Sequence, residues 1–231
     1  MSVSRLPPFA EERGTTLIEA LVALAAGGVV LAALSTVMIV ALHGSSRVSS
    51  RVDSEQRARV ALDQIVDQLH SACIAPQIAP VQEGSSGTVL SFIHQTGSGV
   101  APIPVLSTIS LTGNTLSQSD YPVTGGSAPT WTFATTASST TQLMTEISPT
   151  APSSGIFNYY FYVNGQISAT PLTTPLTAER AASTVKVSVA FTAASPNGPA
   201  TDTNSATAIQ SSALLRLTPP SFTTGANSPC Q

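Results

Sequence analysis

Charge is what this chain of 231 residues lacks most. Asp, Glu, Lys and Arg make up only 9% of it, and the formal net charge is -3. No Lys or Arg falls between Arg59 and Arg180, and Lys186 is the one lysine. A surface so poor in cations neutralises few phosphates, so no nucleic acid is expected as a partner of the C-terminal part. Attachment to anionic lipid headgroups has little support too. Histidine is scarce too: His43, His70 and His94 are the whole set. Only His70 has a cysteine near it, Cys73 at i+3, which is half a metal site at most. The acids beyond Pro76 (Glu83, Asp120, Glu146, Glu179 and Asp202) are dispersed, and Asp202-Thr203-Asn204 alone offers a loop of oxygen ligands. Calcium needs six to eight oxygens, so no metal and no cofactor is expected. The chain has no G-x-S-x-G elbow around its serines and no glycine-rich phosphate loop between a strand and a helix. Both lacks argue against an enzyme. The two cysteines, Cys73 and Cys230, fit no metal spacing. On the outer side of a membrane they can pair, and elsewhere they are two thiols; spacing leaves both open.

What the chain has is a long apolar run. From Ala20 to Leu42 no residue is charged, and eleven are Leu, Val or Ile. As a helix the run rises about 34 Å, enough to cross a bilayer with some tilt. Those eleven residues favour insertion by roughly 5 kcal/mol. The run is too long for a secretory signal peptide. One acid, Glu19, stands at its start. A carboxylate there costs up to about 3 kcal/mol, so it calls for a use.

Beyond the apolar run, Val48, Val52, Val60, Leu62, Ile65, Val66 and Leu69 recur at helical spacing. They predict one apolar face of a continuing helix that ends near Ala75, before Pro76. The i,i+4 pairs Asp53–Arg57 and Glu55–Arg59 favour that helix and Asp63–Asp67 opposes it. The rest reads as β-structure. Strands are predicted at 88–95, at 108–111 and 115–118 around Gly113-Asn114, at 130–135 and 142–147, in the aromatic stretch 155–163 closed by Asn164-Gly165, at 184–193, and at 206–217. A short helix is predicted at 176–182. Stretches 97–104, 125–129, 149–155 and 196–203 are rich in Pro, Gly, Ser and Thr and read as loops. The simplest packing lays one antiparallel sheet over the apolar face of the helix, an α+β fold.

The run Arg13-Gly14-Thr15-Thr16-Leu17-Ile18-Glu19-Ala20-Leu21-Val22-Ala23-Leu24 resembles the start of a type IV pilin-like prepilin. The resemblance implies a leader cut after Gly14 by a prepilin peptidase and N-methylation of the new terminus, Thr15. It gives Glu19 the family's assembly role, pairing with the free amine of a neighbouring subunit. Thr15 stands where the family usually has Phe, and Glu11 and Glu12 stand where basic residues are commoner. The order of the later strands and the chain length are similar to those of the larger minor pilins and J-type minor pseudopilins of type II secretion.

On this resemblance the domains are a prepilin leader at 1–14, a long helix at 15–75 and a β-rich globular domain at 76–231. The helix divides into a transmembrane part at 15–42 and an amphipathic part at 43–75. The implied function is a minor, tip-associated or initiating subunit of a type IV pilus or type II secretion-like filament. Its implied partners are the prepilin peptidase, other pilins or pseudopilins met through the N-terminal helix, the inner-membrane assembly platform, and membrane lipid before assembly. The C-terminal domain would lie outside the cytoplasm, on a single-pass membrane protein, and at the cell surface or in the periplasm after assembly. Charge alone points the other way: Arg47, Arg51, Arg57 and Arg59 follow the span, while Glu11 and Glu12 offset Arg5 and Arg13 before it. The alternative is a single-pass anchored adhesin or binding ectodomain that does not polymerise.

Overall fold

The computed structural model of the chain describes residues 16–73, 78–96, 103–127, 129–151, 155–195 and 206–215. The fold is α+β: a long N-terminal helix, α1 (Leu17–His70), is followed by antiparallel strands. The chain divides into two compact units, Met1–Ser46 and Arg47–Gln231.

In the first unit every described residue is helical or caps the helix, and all are exposed. Thr16 caps α1: its Oγ1 accepts a hydrogen bond from the Glu19 amide at 3.4 Å. Ser35 and Thr36 are the two hydroxyl residues inside the apolar run. They donate to the carbonyls of Leu31 (2.8 Å) and Ala32 (3.0 Å), so neither leaves a donor unpaired in an apolar surrounding. The helix runs through Gly27-Gly28 without a break.

In the second unit the expected apolar face of α1 needs correction. Its buried residues are Ser54, Ala58, Ala61, Leu62, Ile65 and Leu69. Val48, Val52 and Val60 are exposed instead. The buried stripe still has helical spacing, but small residues carry its first half, because a short side chain lets the packed strands approach closely. The helix also stops earlier than 75. After His70 the chain joins the edge of a strand: Ala72 bridges to His94, and the Cys73 amide donates to the Ile93 carbonyl at 2.9 Å.

The expected single sheet is two sheets and a small ribbon. The first sheet contains β1 (Val89–Thr96), β2 (Ile103–Thr112), β3 (Thr115–Ser127), β4 (Thr130–Phe133) and β5 (Ser139–Met144), ordered β1-β2-β3-β4 with β5 also on β3. The long strand β3 therefore carries two partners on one side, β5 along its first half and β4 along its second. It runs through Gly125–Ser127, where a loop was expected. The second sheet repeats this arrangement with β6 (Ile147–Pro149), β7 (Phe157–Tyr160), β10 (Lys186–Ala193) and β11 (Thr207–Leu214). Here β10 pairs with β11 on one side and with β7 and β6 in series on the other.

The aromatic stretch is split. β7 ends at Tyr160, and β8 (Tyr162–Val163) folds back on β9 (Gln166–Ile167). Asn164 and Gly165 both have positive φ, 51° and 79°, as a two-residue type I′ hairpin requires. The stretch 142–147 is split as well, between β5 and β6, at Glu146, whose φ is 58°. The short helix is present as α2 (Ala178–Ser183), N-capped by Thr177. The expected loop 196–203 and the end of the last strand at 216–217 lie outside the described residues.

One core unites these parts. Ala61, Leu62, Ile65 and Leu69 of α1 share it with Leu90, Phe92, Ile109 and Leu116 of the first sheet, and with Phe157, Tyr159, Val187, Val189 and Phe191 of the second. Specific contacts also link the sheets, among them a tyrosine hydroxyl and a backbone crossing. The buried Tyr159 hydroxyl lies 2.9 Å from the Ser86 carbonyl and 3.0 Å from that of Val89, and burial pushes its phenol pKa above the ordinary range. Gly87 and Gly155 cross backbone to backbone: a Cβ added at Gly87 would sit 2.8 Å from the Gly155 Cα.

Candidate functional site

The residues singled out by sequence fall at separate places. Gly14 and Thr15 lie outside the described residues. Glu19 is in the first turn of α1, exposed, where a negative charge suits the helix dipole. The Thr16 cap shows a second feature at this point: Thr16-Leu17-Ile18-Glu19 has the T-x-x-E spacing of a capping box. Reading Glu19 only as an intramembrane acid missed this, although the four-residue spacing was visible. Among the described residues one helix, α1, is long and apolar enough to cross a membrane; its apolar stretch has mean hydropathy 2.4 and none of it is buried.

Cys73 is fully buried and disulfide-bonded, and Cys230 lies outside the described residues. A disulfide sulfur is no thiolate ligand, so the His70–Cys73 half-site is removed, and His70 is exposed. The loop 202–204 lies outside the described residues. Among the described residues no three His, Cys, Asp or Glu side chains come together as a metal site would need. Phe157 and Tyr159 of the aromatic stretch point into the core. Tyr160 instead faces the one lysine: Lys186 Nζ sits 5.2 Å from its ring centroid, within cation–π range.

Chemistry does gather at one place that sequence reading missed. His94 of β1, Ser107 of β2 and Asp120 of β3 lie on one face of the first sheet. Ser107 and Asp120 are direct cross-strand partners. The Ser107 hydroxyl donates to Asp120 Oδ1 at 2.6 Å and lies 2.9 Å from His94 Nε2. Gln118 Nε2 donates to the same Oδ1 at 2.8 Å, and Ser139 Oγ donates to Oδ2 at 3.0 Å. Burial by itself would raise the Asp120 pKa; the hydrogen bonds from Gln118, Ser107 and Ser139, helped by His94, outweigh it and hold the carboxyl below its ordinary range. Burial lowers the His94 pKa, with the Asp120 charge and a hydrogen bond to the Gln95 backbone pulling the other way.

The trio has the residue types of a hydrolytic triad in the wrong order. Catalysis needs histidine between serine and acid. Here serine is in the middle. Its one proton goes to the ionised Asp120, so His94 Nε2 must carry the other proton and donate it. A donor cannot act as base, and Ser107 is fully buried. The arrangement leaves Ser107 inactive as a nucleophile and ties three strands together at their polar end.

No protein-family model, no characterised protein and no solved structure matches this chain.

Proposed function

We propose that the chain is a structural subunit of a type IV pilin-like filament, a minor pilin or pseudopilin, without catalytic activity. The observation that carries this reading is Glu19: an exposed acid in the first turn of a helix that is apolar on every side as far as Leu42. The α+β fold, with the second part of the helix sharing a core with antiparallel sheets, is compatible with it. In this reading cleavage after Gly14 makes an ammonium at Thr15, one helical turn from Glu19. In the membrane the two charges neutralise each other within one chain. In the filament Glu19 takes the amine of a neighbour, and the apolar helix surface exchanges lipid for other subunits. Such head-to-tail contacts build open polymers. The C-terminal unit then lies outside the cytoplasm.

The Thr16 cap favours a second reading. It starts the helix through the Glu19 backbone amide, and with the T-x-x-E spacing it suits a helix whose first-turn acid serves the helix dipole, as in an anchored binding ectodomain that does not polymerise. The mass of the mature chain separates the two: a terminus at Thr15 supports the filament subunit, and retention of residues 1–14 refutes it. Glu19→Ala separates them again. A filament subunit is expected to keep membrane insertion and lose incorporation, measured by fractionating membrane and sheared filaments. Normal incorporation of the variant would overturn the role of Glu19.

A further inference from the structure

A free strand edge is a template for another strand, and folded proteins cover or guard their edges. In this chain Ala72 and Val81 bridge onto the outer edge of β1. The Gly87 carbonyl and the Leu172 amide meet the outer edge of β7, at Phe157 and Tyr159. β4 and β5 are open, but they have four and six residues, and each shifts register against β3. β11 is the long open edge. Among the described residues it pairs with β10 alone, over eight residues in unbroken register. It contains no charge and no proline, the usual guards of an edge. Alternation decides which of its groups face out. The Ala190 amide donates to the Ile156 carbonyl, so Ala190 turns away from β11, and Val187, Val189, Phe191 and Ala193 turn towards it. Their partners Ala213, Ser211, Ile209 and Thr207 therefore point at β10. Ala208, Gln210, Ser212 and Leu214 turn their N–H and C=O outward, and all four residues are exposed. No described residue bonds to those outward groups.

We infer that β11 pairs with β11 of a second copy of this chain, antiparallel, about a two-fold axis at Ser211. The order of side chains along the edge selects this occupant. With Ser211 opposite Ser211 of the partner subunit, every outward residue meets another. Ala208 faces Leu214 of the partner subunit, and Gln210 faces Ser212 of the partner subunit. Each such pair exchanges two backbone hydrogen bonds. Between them Ile209 faces Ala213 of the partner subunit. Apolar lies against apolar and polar against polar on both faces, and no like charges oppose. A shift of two residues either way leaves an outward residue of each copy unpaired and sets an apolar side chain against a polar one. A two-fold contact closes on itself, so it makes a dimer rather than a filament. One strand pair is a small interface, so the dimer belongs to the weak class. The contact uses neither the leader nor Glu19 nor any residue of α1, so it stands apart from the filament reading.

The test is disulfide trapping of the full chain in detergent under mild oxidation, comparing Ser211→Cys with Thr207→Cys. At the axis the two Ser211 positions have Cβ atoms about 4.5 Å apart, close to what a disulfide spans. The two Thr207 positions lie about 26 Å apart along the strands. Ser211→Cys is expected to link to a second chain at least ten times faster than Thr207→Cys, with the linked peptide identified by mass. Adding Ser212→Pro removes an outward N–H without touching the ladder to β10 and should slow the linking at least tenfold. Charge variants serve where proline lowers the folded yield. Gln210→Lys with Ser212→Lys sets like charges opposite and should give the same loss, whereas Gln210→Lys with Ser212→Glu sets unlike charges opposite and should keep the link. Amide exchange at Ala208, Gln210, Ser212 and Leu214 should slow as protein concentration rises. Equal rates for the two cysteine variants, undiminished linking in the proline or double-lysine variant, or loss of linking in the Lys–Glu variant would each overturn the inference. So would protection of those amides that does not change with concentration, because another segment of the same chain would then hold the edge.

Discussion

Replacing Ser107 by alanine should destabilise the second unit more than any other serine-to-alanine change on the first sheet. Ser107 is fully buried and sits between His94 and Asp120. Alanine leaves the His94 Nε2 proton with no acceptor and takes one of three side-chain donors from Asp120. An orphaned buried donor costs about 1–3 kcal/mol, and the bond to a charged acceptor adds to that. Asp120 is partly exposed, so water replaces part of what it loses. The expected loss is about 2–3 kcal/mol. For a unit of this size that lowers the melting temperature by about 4–12 °C. Urea unfolding of the full chain in detergent, followed by near-UV circular dichroism, should show a lower midpoint at unchanged slope. Ser91→Ala is the control. Its hydroxyl pairs with Thr108 at 2.9 Å on the opposite face, and its loss should cost under about 0.5 kcal/mol. The same network sets a pH dependence. The His94 pKa is lowered from its ordinary 6.5, so the stability it contributes is full above about that pH and is lost as pH falls below it. The Asp120 pKa is lowered from 3.8, so its contribution is lost only below that value. Stability should therefore fall in two acid steps. Equal effects of the two serine variants, or stability that rises between pH 7 and 5, would refute this account of the network.

Three further outcomes are expected. Gly155→Ala puts a Cβ into the Gly87 backbone, which cannot yield as a flexible side chain would; a loss above about 3 kcal/mol, or no folded product, should appear in thermal melts, and a neutral result would mean the crossing is loose. Gly27→Ala and Gly28→Ala meet nothing within 4 Å and should each firm the helix by about 1 kcal/mol, read as slower hydrogen exchange across 24–32. Cys73 should be found linked to Cys230 in a non-reducing peptide digest; reduction should cost about 2–5 kcal/mol in a chemical unfolding curve, and a Cys73 linked between two chains would contradict the pairing.

Some of this structure was legible at once and some was not. Alternation showed β10: Val187, Val189 and Phe191 are all buried. The positive-φ turn at Asn164-Gly165 was readable because few other residues accept that conformation. The helix face was misread because Val48, Val52 and Val60 looked like core and Ser54 and Ala58 did not. Burial follows the shape of what packs against a helix, and a close sheet selects small side chains over large ones. The helix end was misplaced for a similar reason. Pro76 limits how far a helix can run, whereas the Ala72–His94 bridge, formed with a strand over twenty residues away, decides where it stops.

The amino-acid order by itself determined the apolar helix, the acid at its start, the cation-poor remainder and most of the strands, since each rests on neighbours within one or two turns. Tertiary structure alone decided that His94, Ser107 and Asp120 meet and that Gly87 crosses Gly155. Those juxtapositions depend on strand register and on the approach of segments distant in the chain, and no local pattern of side chains encodes either.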